Sequence, residues 1–416
     1  MRFLTRFSLF FLLVFYFDPA PRTTALAEHK AHHANKTRKG KPDSDFNPWS
    51  AYRDRSESDR ALIDLTLAKE LEFIDREAPL PVANGASHDF DPEAEDSWYR
   101  SPTARDLARA MVSYQSPAGG WNKNLPYHEG PRQPGQAFGR NSNYTATFDN
   151  GATISEIRFL ARFHRLNGSE AARDAVESGL RYVLRSQYPS GGWPQVYPLA
   201  GSYHDAMTFN DGAMTNIAEL LVDIESGHQD FHWLDHDLET ALSQSRNRAI
   251  DVILASQIKQ NEVLSGWCQQ HDPVTLAPAS ARAYEMISLS SKESSQILDL
   301  LISLPDPTPE ILDSIRGVAS WLNKVRFDDI SVRREANGDR IVVDQPGERP
   351  IWARFYEIET NRPLFGDRDG SLHYKLEEIS FERRRGYAWY MSDPASTLNR
   401  YEKWKAKREK QLATTP

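Results

Sequence analysis

A seven-residue phrase that returns at a nearly fixed interval constrains this chain more than any other feature. QSPAGGW at Gln115–Trp121 comes back as QYPSGGW at Gln187–Trp193, 72 residues on. A weaker third copy runs from Gln257 to Trp267, its glutamine 70 residues after the second. Repeats at such a period stack supersecondary units, each burying a face that it cannot bury alone. Each glutamine closes a stretch of apolar residues at helical spacing. Val176, Leu180, Val183 and Leu184 precede the second, and Leu238, Leu242, Ile250, Ile253 and Leu254 the third. The Gly-Gly pair of the first two copies is expected to stop the helix.

A second echo follows each of the first two loops. TFDNGAT at Thr147–Thr153 matches TFNDGAM at Thr208–Met214, and both open new helical patterns, with Ile154, Ile157 and Leu160 in one and Met214, Ile217 and Leu221 in the other. The unit is helix, Gly-Gly-Trp loop, Phe-Asp/Asn start, helix. At roughly 70 residues it is too long for a tetratricopeptide or ankyrin unit. The spacing predicts a mainly α fold, a barrel or toroid of repeated helix pairs with its long loops gathered at one end, where a site can be built. Further helices are expected at 58–76, at 102–114 with Ser101 as N-cap and Pro102 at its first position, at 292–304 and at 309–325. Ile341-Val342-Val343 after Asn337-Gly338-Asp339 predicts a short hairpin in the last third. No linker divides residues 100–395, so 48–416 reads as one domain.

The N-terminus sets the compartment. Arg2 and Arg6 precede an apolar stretch, Phe7–Phe17, too short to span a bilayer, and Ala25-Leu26-Ala27 supplies small residues for cleavage. Residues 1–27 therefore read as a secretory signal peptide cut after Ala27, which makes the protein secreted or periplasmic. Residues 28–47, polar, basic and holding His29, His32 and His33, read as a flexible leader. The net charge of −8 offers no general nucleic-acid footprint, and it moves to about −10 once the cationic signal segment is removed. A single cysteine, Cys268, excludes a disulfide framework and any Cys-based zinc cluster. Ten tryptophans suit either a large core or a groove that reads sugar faces.

Candidate chemistry sits where the repeats echo. Asp149 and Asp211 stand at helix starts, where an N-cap is the ordinary role. Their recurrence in matching loops, each beside an asparagine (Asn150, Asn210), instead gathers hard oxygen donors suited to calcium. In WCQQHD at Trp267–Asp272, Cys268 and His271 are too close in sequence for a nucleophile and its base. A buried structural cysteine is expected there, with His271 and Asp272 shaping the loop. Arginines crowd the last third: Arg282, Arg354, Arg362, Arg368 and Arg383–Arg385. Several lie among aromatics and turns, where guanidinium forks fit repeated carboxylates. No P-loop, dinucleotide fingerprint, HExxH or GxSxG elbow is present.

Taken together, GGWNKN, TFDNGAT, QYPSGGWPQVYP, TFNDGAM, WCQQHDPVTLAPASARAYE, RFYEIETNRPLFGDRDG and ERRRGYAWY resemble the polysaccharide lyase family ten pectate lyases, in order over roughly residues 100–395. The resemblance implies an (α/α)3 barrel and calcium-assisted β-elimination of polygalacturonate to 4,5-unsaturated oligogalacturonides by a monomeric enzyme. It implies that Asp149 and Asp211 bind Ca2+, Asp149 thereby sharing in catalysis, and that Arg282 is the base at C5. Asn150, Trp267, Arg354 and Arg368 would meet the substrate. An arginine base needs crowded positive charge and alkaline pH. Two other readings stay open: an α/α-barrel glycoside hydrolase using the two aspartates as its carboxylate pair, and a catalytically silent pectin-binding protein. A triterpene cyclase shares the Gln/Trp repeat but needs an acidic DxDD-type cluster, which is absent.

Overall fold

A computed structural model describes residues 47–414 apart from 86–89, 93 and 141–143. The signal peptide and nearly all of the leader lie outside the described residues. The helices are α1 (Pro48–Phe73), α2 (Asp96–Tyr99), α3 (Pro102–Tyr114), α4 (Ile154–Asn167), α5 (Glu170–Ser186), α6 (Ala213–Glu225), α7 (His236–Ala255), α8 (Ser291–Ser303), α9 (Pro309–Lys324), α10 (Phe381–Gly386) and α11 (Asp393–Thr414). Their starts are written in the sequence. Ser101, Ser169, Asp235 and Thr308 each accept the backbone N–H three residues on, and Pro48, Pro102 and Pro309 occupy the first helical turn.

Three hairpins, α4–α5, α6–α7 and α8–α9, form a mainly α barrel. Helices α4, α6 and α8 follow one another through contact, as do α5, α7 and α9. Helix α3 packs on the first hairpin and α11 on the last. One apolar core runs through them, from Tyr52 and Met111 to Leu322 and Tyr401. Strands are short and begin earlier than the last third, at Met207–Thr208, which pairs with Gln270–His271. The expected hairpin pairs Ile330–Arg334 with Arg340–Asp344.

The repeat works as a double staple. Gln115 Nε2 donates to the carbonyls of Gly119 (2.7 Å) and Ala175 (2.9 Å), Gln187 Nε2 to those of Gly191 (2.7 Å) and Ser245 (2.9 Å), and Gln257 Nε2 to those of Ser265 (2.7 Å) and Ser314 (3.2 Å). Each glutamine thus ties its own loop to the next helix of the α3–α5–α7–α9 series. The tryptophans do the second stapling. Trp121, Trp193 and Trp267 donate their indole N–H to Met111, Val183 and Ile253 in the last turn of α3, α5 and α7, satisfying carbonyls that a helix end leaves orphaned.

Trp352 does the same to Leu322 at the end of α9, at 2.7 Å. A fourth copy therefore exists. Residues 328–350, which carry the hairpin and close at a Phe327–Ile351 bridge, separate its helix from its tryptophan and hide it in the sequence.

Two expectations are corrected here. All three repeat tryptophans are 0% exposed, so Trp267 cannot meet a substrate and serves the core. The glycines do not stop the helices either, since α3 and α5 end at the extended backbone of Gln115 and Gln187. The glycines permit close approach instead. A Cβ on Gly120 would strike the Tyr182 ring, one on Gly192 the Met207 sulfur, and one on Gly266 the Ser294 hydroxyl.

Candidate functional site

The turns before α4 and α6 pack against each other, which brings Asp149 and Asp211 to one place. Their register is offset by one. Thr147-Phe-Asp-Asn-Gly and Thr208-Phe-Asn-Asp-Gly align Asp149 with Asn210 and Asn150 with Asp211, and the left-handed backbone falls on Asn150 (φ 53°) and Asp211 (φ 51°), residue types that tolerate it. Neither carboxylate caps a helix. Asp149, 8% exposed, takes the ammonium of Lys123 on Oδ2 and Gln195 Nε2 on Oδ1 at 2.9 Å. Asp211 takes Lys292 Nζ on Oδ1 at 2.7 Å and Asn210 Nδ2 on Oδ2 at 2.9 Å. The Lys292 ammonium, with Arg354 beyond it, outweighs burial and holds the Asp211 carboxyl below the ordinary aspartate value.

The side chain two residues past each repeat tryptophan aims at this region. Lys123 and Gln195 grip Asp149. Gln269 Nε2 and Arg354 Nη2 both donate to Asn210 Oδ1, at 2.5 and 3.0 Å, and to Glu293 Oε1, at 3.3 and 3.0 Å. Sequence reasoning singled out Arg354 alone of these four. Counting two residues on from Trp121, Trp193 and Trp267 would have found the others.

A cavity of about 190 Å³ is lined by Lys123, Asp149, Asn150, Gln195, Asn210, Asp211, Arg282 and Glu285, together with Tyr203, His204, Gln270 and Ala281. It unites four sequence candidates: Asp149, Asn150, Asp211 and Arg282. Glu285, 3% exposed, grips Arg282 in a two-pronged pair, through Nε at 2.6 Å and through Nη2, and also accepts the Tyr387 hydroxyl at 2.8 Å. That carboxylate raises the guanidinium above the ordinary arginine value.

The other arginines stand behind or beside this cavity. Arg354, 6% exposed, lies 3.8 Å from Asp211 and does not reach the cavity wall. Arg368, its side chain 63% exposed, is paired with Glu382 and sits over the buried Tyr284 ring, 5.8 Å from its centroid. Arg383 and Arg384 are committed to Glu382 and Asp339. Cys268 is buried, with a thiol pushed up by burial, and His271 joins the Cys268 N–H to the Leu276 carbonyl within its loop.

Among the described residues no group of three or more His, Cys, Asp or Glu side chains could hold a metal ion. The donor set is nevertheless hard oxygen throughout, from the Asp149 and Asp211 carboxylates and the Asn150 amide. Calcium takes six to eight such ligands. The donors fit calcium in kind and fall short in number, which leaves coordination positions for water and a ligand's own carboxylates.

Residues 115–398 match the family model described as pectic acid lyase. The chain belongs to the pectic acid lyase family. A family 10 polysaccharide lyase from Cellvibrio cellulosa shares 34% identity with this lyase, covers 77% of this chain and 99% of its own, and superposes with a TM-score of 0.67. A mutant of a family 10 polysaccharide lyase from the same organism, in complex with trigalacturonic acid, gives 34% identity, 74% and 96% coverage and a TM-score of 0.66. A comparison with curated proteins finds no match. The lyase thus has the mainly α barrel of family 10, and its repeat loops build the mouth of the cavity just described.

Proposed function

We propose that this polysaccharide lyase is a secreted pectate lyase that cleaves polygalacturonate by calcium-assisted β-elimination. One observation carries the reading: two aspartates and an arginine from three separate repeat loops line a single cavity. The solved relative bound to trigalacturonic acid supports the substrate class.

A calcium ion held by Asp149 and Asp211, with Asn150 beside them, would draw charge from the uronate carboxylate and acidify the C5 proton. Arg282, as its neutral guanidine, takes that proton. The electron pair of the C5–H bond forms the C4–C5 double bond, and the C4–O bond breaks with its pair. The departing oxygen takes a proton from water, leaving a 4,5-unsaturated end. Glu285 opposes the neutral form of Arg282, so the reaction calls for positive charge brought by calcium, for alkaline pH, or for both. Lys123 and Lys292 hold the two aspartates in place, and the Lys292 ammonium favours the ionised form of Asp211. Arg354 holds Asn210 and Glu293 behind them, and Arg368, exposed and paired with Glu382, would meet a carboxylate of a bound chain. A hydrolase reading needs one of the two aspartates as a protonated acid. The Lys292 ammonium makes Asp211 a poor one.

The test is absorbance. Protein begun at residue 28 is incubated with polygalacturonate in calcium and in chelator, and ultraviolet absorbance of unsaturated ends is followed. Absorbance that rises only with calcium is expected. Saturated products, or release indifferent to chelator, would overturn the reading. Export is tested by expressing the full chain and sequencing the N-terminus of the exported protein, expected at Glu28.

A further inference from the structure

A second cavity, of about 250 Å³, adjoins the first and shares Lys123, Asp149, Gln195 and His204 with it. The remainder of its wall includes Arg140, Tyr144, Asn122 and Asn124. Arg140 is exposed, and among the described residues its hydrogen-bond partner is Asn84 Oδ1, at 2.7 Å, with no carboxylate paired to it. The Tyr144 ring sits 4.7 Å from His204, which stacks on Tyr203 at 3.9 Å, so an aromatic file runs from one cavity into the other. Two amide atoms of buried wall residues, Asn122 Nδ2 and Gln195 Oε1, lack a hydrogen-bond partner among the described residues. The volume is that of roughly eight waters, enough for one sugar ring and not for two.

We propose that this cavity is a further subsite, taking the uronate unit next to the one held at Asp149, with Arg140 pairing its carboxylate and Tyr144 packing on its ring. The chemistry is specific to a charged sugar. A guanidinium fork matches a carboxylate in shape and charge, and an aromatic face beside it suits the apolar side of a pyranose. Lys123 lines both cavities and Arg140 only the second, so a polyanionic chain passing from one to the other meets positive charge at successive units. Arg140 and Tyr144 lie outside the repeat phrases, in the stretch between the first tryptophan loop and the acidic turn. The inference rests on the pectate reading above.

The test separates the two. Arg282→Ala, which should halt cleavage, and Arg282→Ala/Arg140→Ala are titrated calorimetrically in calcium with galacturonate oligomers of increasing length. In Arg282→Ala, affinity is expected to step up about tenfold when the oligomer becomes long enough to fill the second cavity, a step of about 1.4 kcal/mol. In the double variant that step should vanish, while oligomers too short to reach the cavity bind both proteins alike. A step retained in the double variant overturns the subsite, and so does a uniform loss at every length. Failure of Arg282→Ala to bind any galacturonate oligomer overturns the pectate reading itself and the subsite with it. In the unmodified background, Arg140→Ala should raise KM for polygalacturonate and leave kcat in place; a fall in kcat at constant KM also counts against the proposal.

Discussion

Lys292 Nζ lies 2.7 Å from Asp211 Oδ1, bridging two turns 81 residues apart, so one of the two carboxylates that would receive calcium already has a cation on it. Asp149 stands in the same relation to Lys123. The free site is electrically balanced before any metal arrives: Lys123, Lys292, Arg282 and Arg354 face Asp149, Asp211, Glu285 and Glu293. On the proposed function, a divalent ion would have to compete with that balance and would gain most when a substrate carboxylate enters with it.

Removing the Lys292 ammonium should therefore strengthen calcium binding by the free enzyme. Lys292→Met is expected to bind calcium roughly tenfold more tightly in calorimetry without substrate, given the repulsion between like charges this close. Unchanged or weaker binding would show that the ammonium does not compete for the site. Asp211→Asn should lower kcat/KM on polygalacturonate by about a hundredfold or more, as loss of an electrostatic stabiliser does.

Glu285 sets how strongly Arg282 keeps its proton. Glu285→Gln preserves the shape of the pair and removes its charge, so the guanidinium should release its proton at lower pH. The alkaline rise of kcat/KM should then move down by about one pH unit or more, with roughly 1.4 kcal/mol per unit. A profile that stays in place would disprove either the base role of Arg282 or the control of it by Glu285. Arg282→Ala separates these, because it abolishes turnover only if the base role holds.

Trp267 belongs to the scaffold. Trp267→Phe deletes the indole donor to the Ile253 carbonyl and leaves a small void, which should cost about 1–3 kcal/mol in urea unfolding. KM for polygalacturonate should not change. A raised KM with unaltered stability would return this ring to the substrate.

His271 gives the fold an acid limit. Burial holds its imidazole down to about 4, against 6.5 for a free side chain. The unfolded chain therefore binds the proton first. The stability contributed by the neutral ring is fully present above pH 6.5 and is lost as pH falls toward 4, by roughly 3 kcal/mol over that window. The buried carboxyl of Glu156, pushed up to about 7, works in the opposite direction, so the comparison must be differential. The stability advantage of the unaltered protein over His271→Gln should shrink between pH 7 and pH 4.5 in urea titrations. A constant difference would refute it.

Much of this architecture was legible because its signals are local and repeated. Pro102 after Ser101 marks a helix start in any context, and the two Gly-Gly-Trp phrases set the period. The fourth copy was not legible, because 27 residues lie between α9 and Trp352 and no glycine pair precedes that tryptophan. Asp149, Asn150 and Asp211 could be picked out as polar residues in echoing loops, and Arg282 through the resemblance carried by its ARAYE motif. Lys123 is marked only by its place two residues beyond Trp121, and Glu285 and Lys292 by nothing, since a lysine or glutamate near a loop looks like any solvated charge until the chain closes and shows what it faces. Trp267 was misread for the complementary reason. An aromatic beside glycine has the composition of a sugar platform, and only its burial reveals the carbonyl it serves.

The double staple has a consequence for how such a mouth can change. The first three loops are pinned at a glutamine and a tryptophan and the fourth at its tryptophan, so the residue two places beyond the tryptophan reaches the acidic turns at a set position whatever its side chain. In this protein those four positions carry lysine, glutamine, glutamine and arginine. They act as sockets on a fixed ring, in which charge can be rewritten one address at a time. A barrel of this kind can acquire a preference for more or less heavily charged polysaccharides without disturbing a single helix.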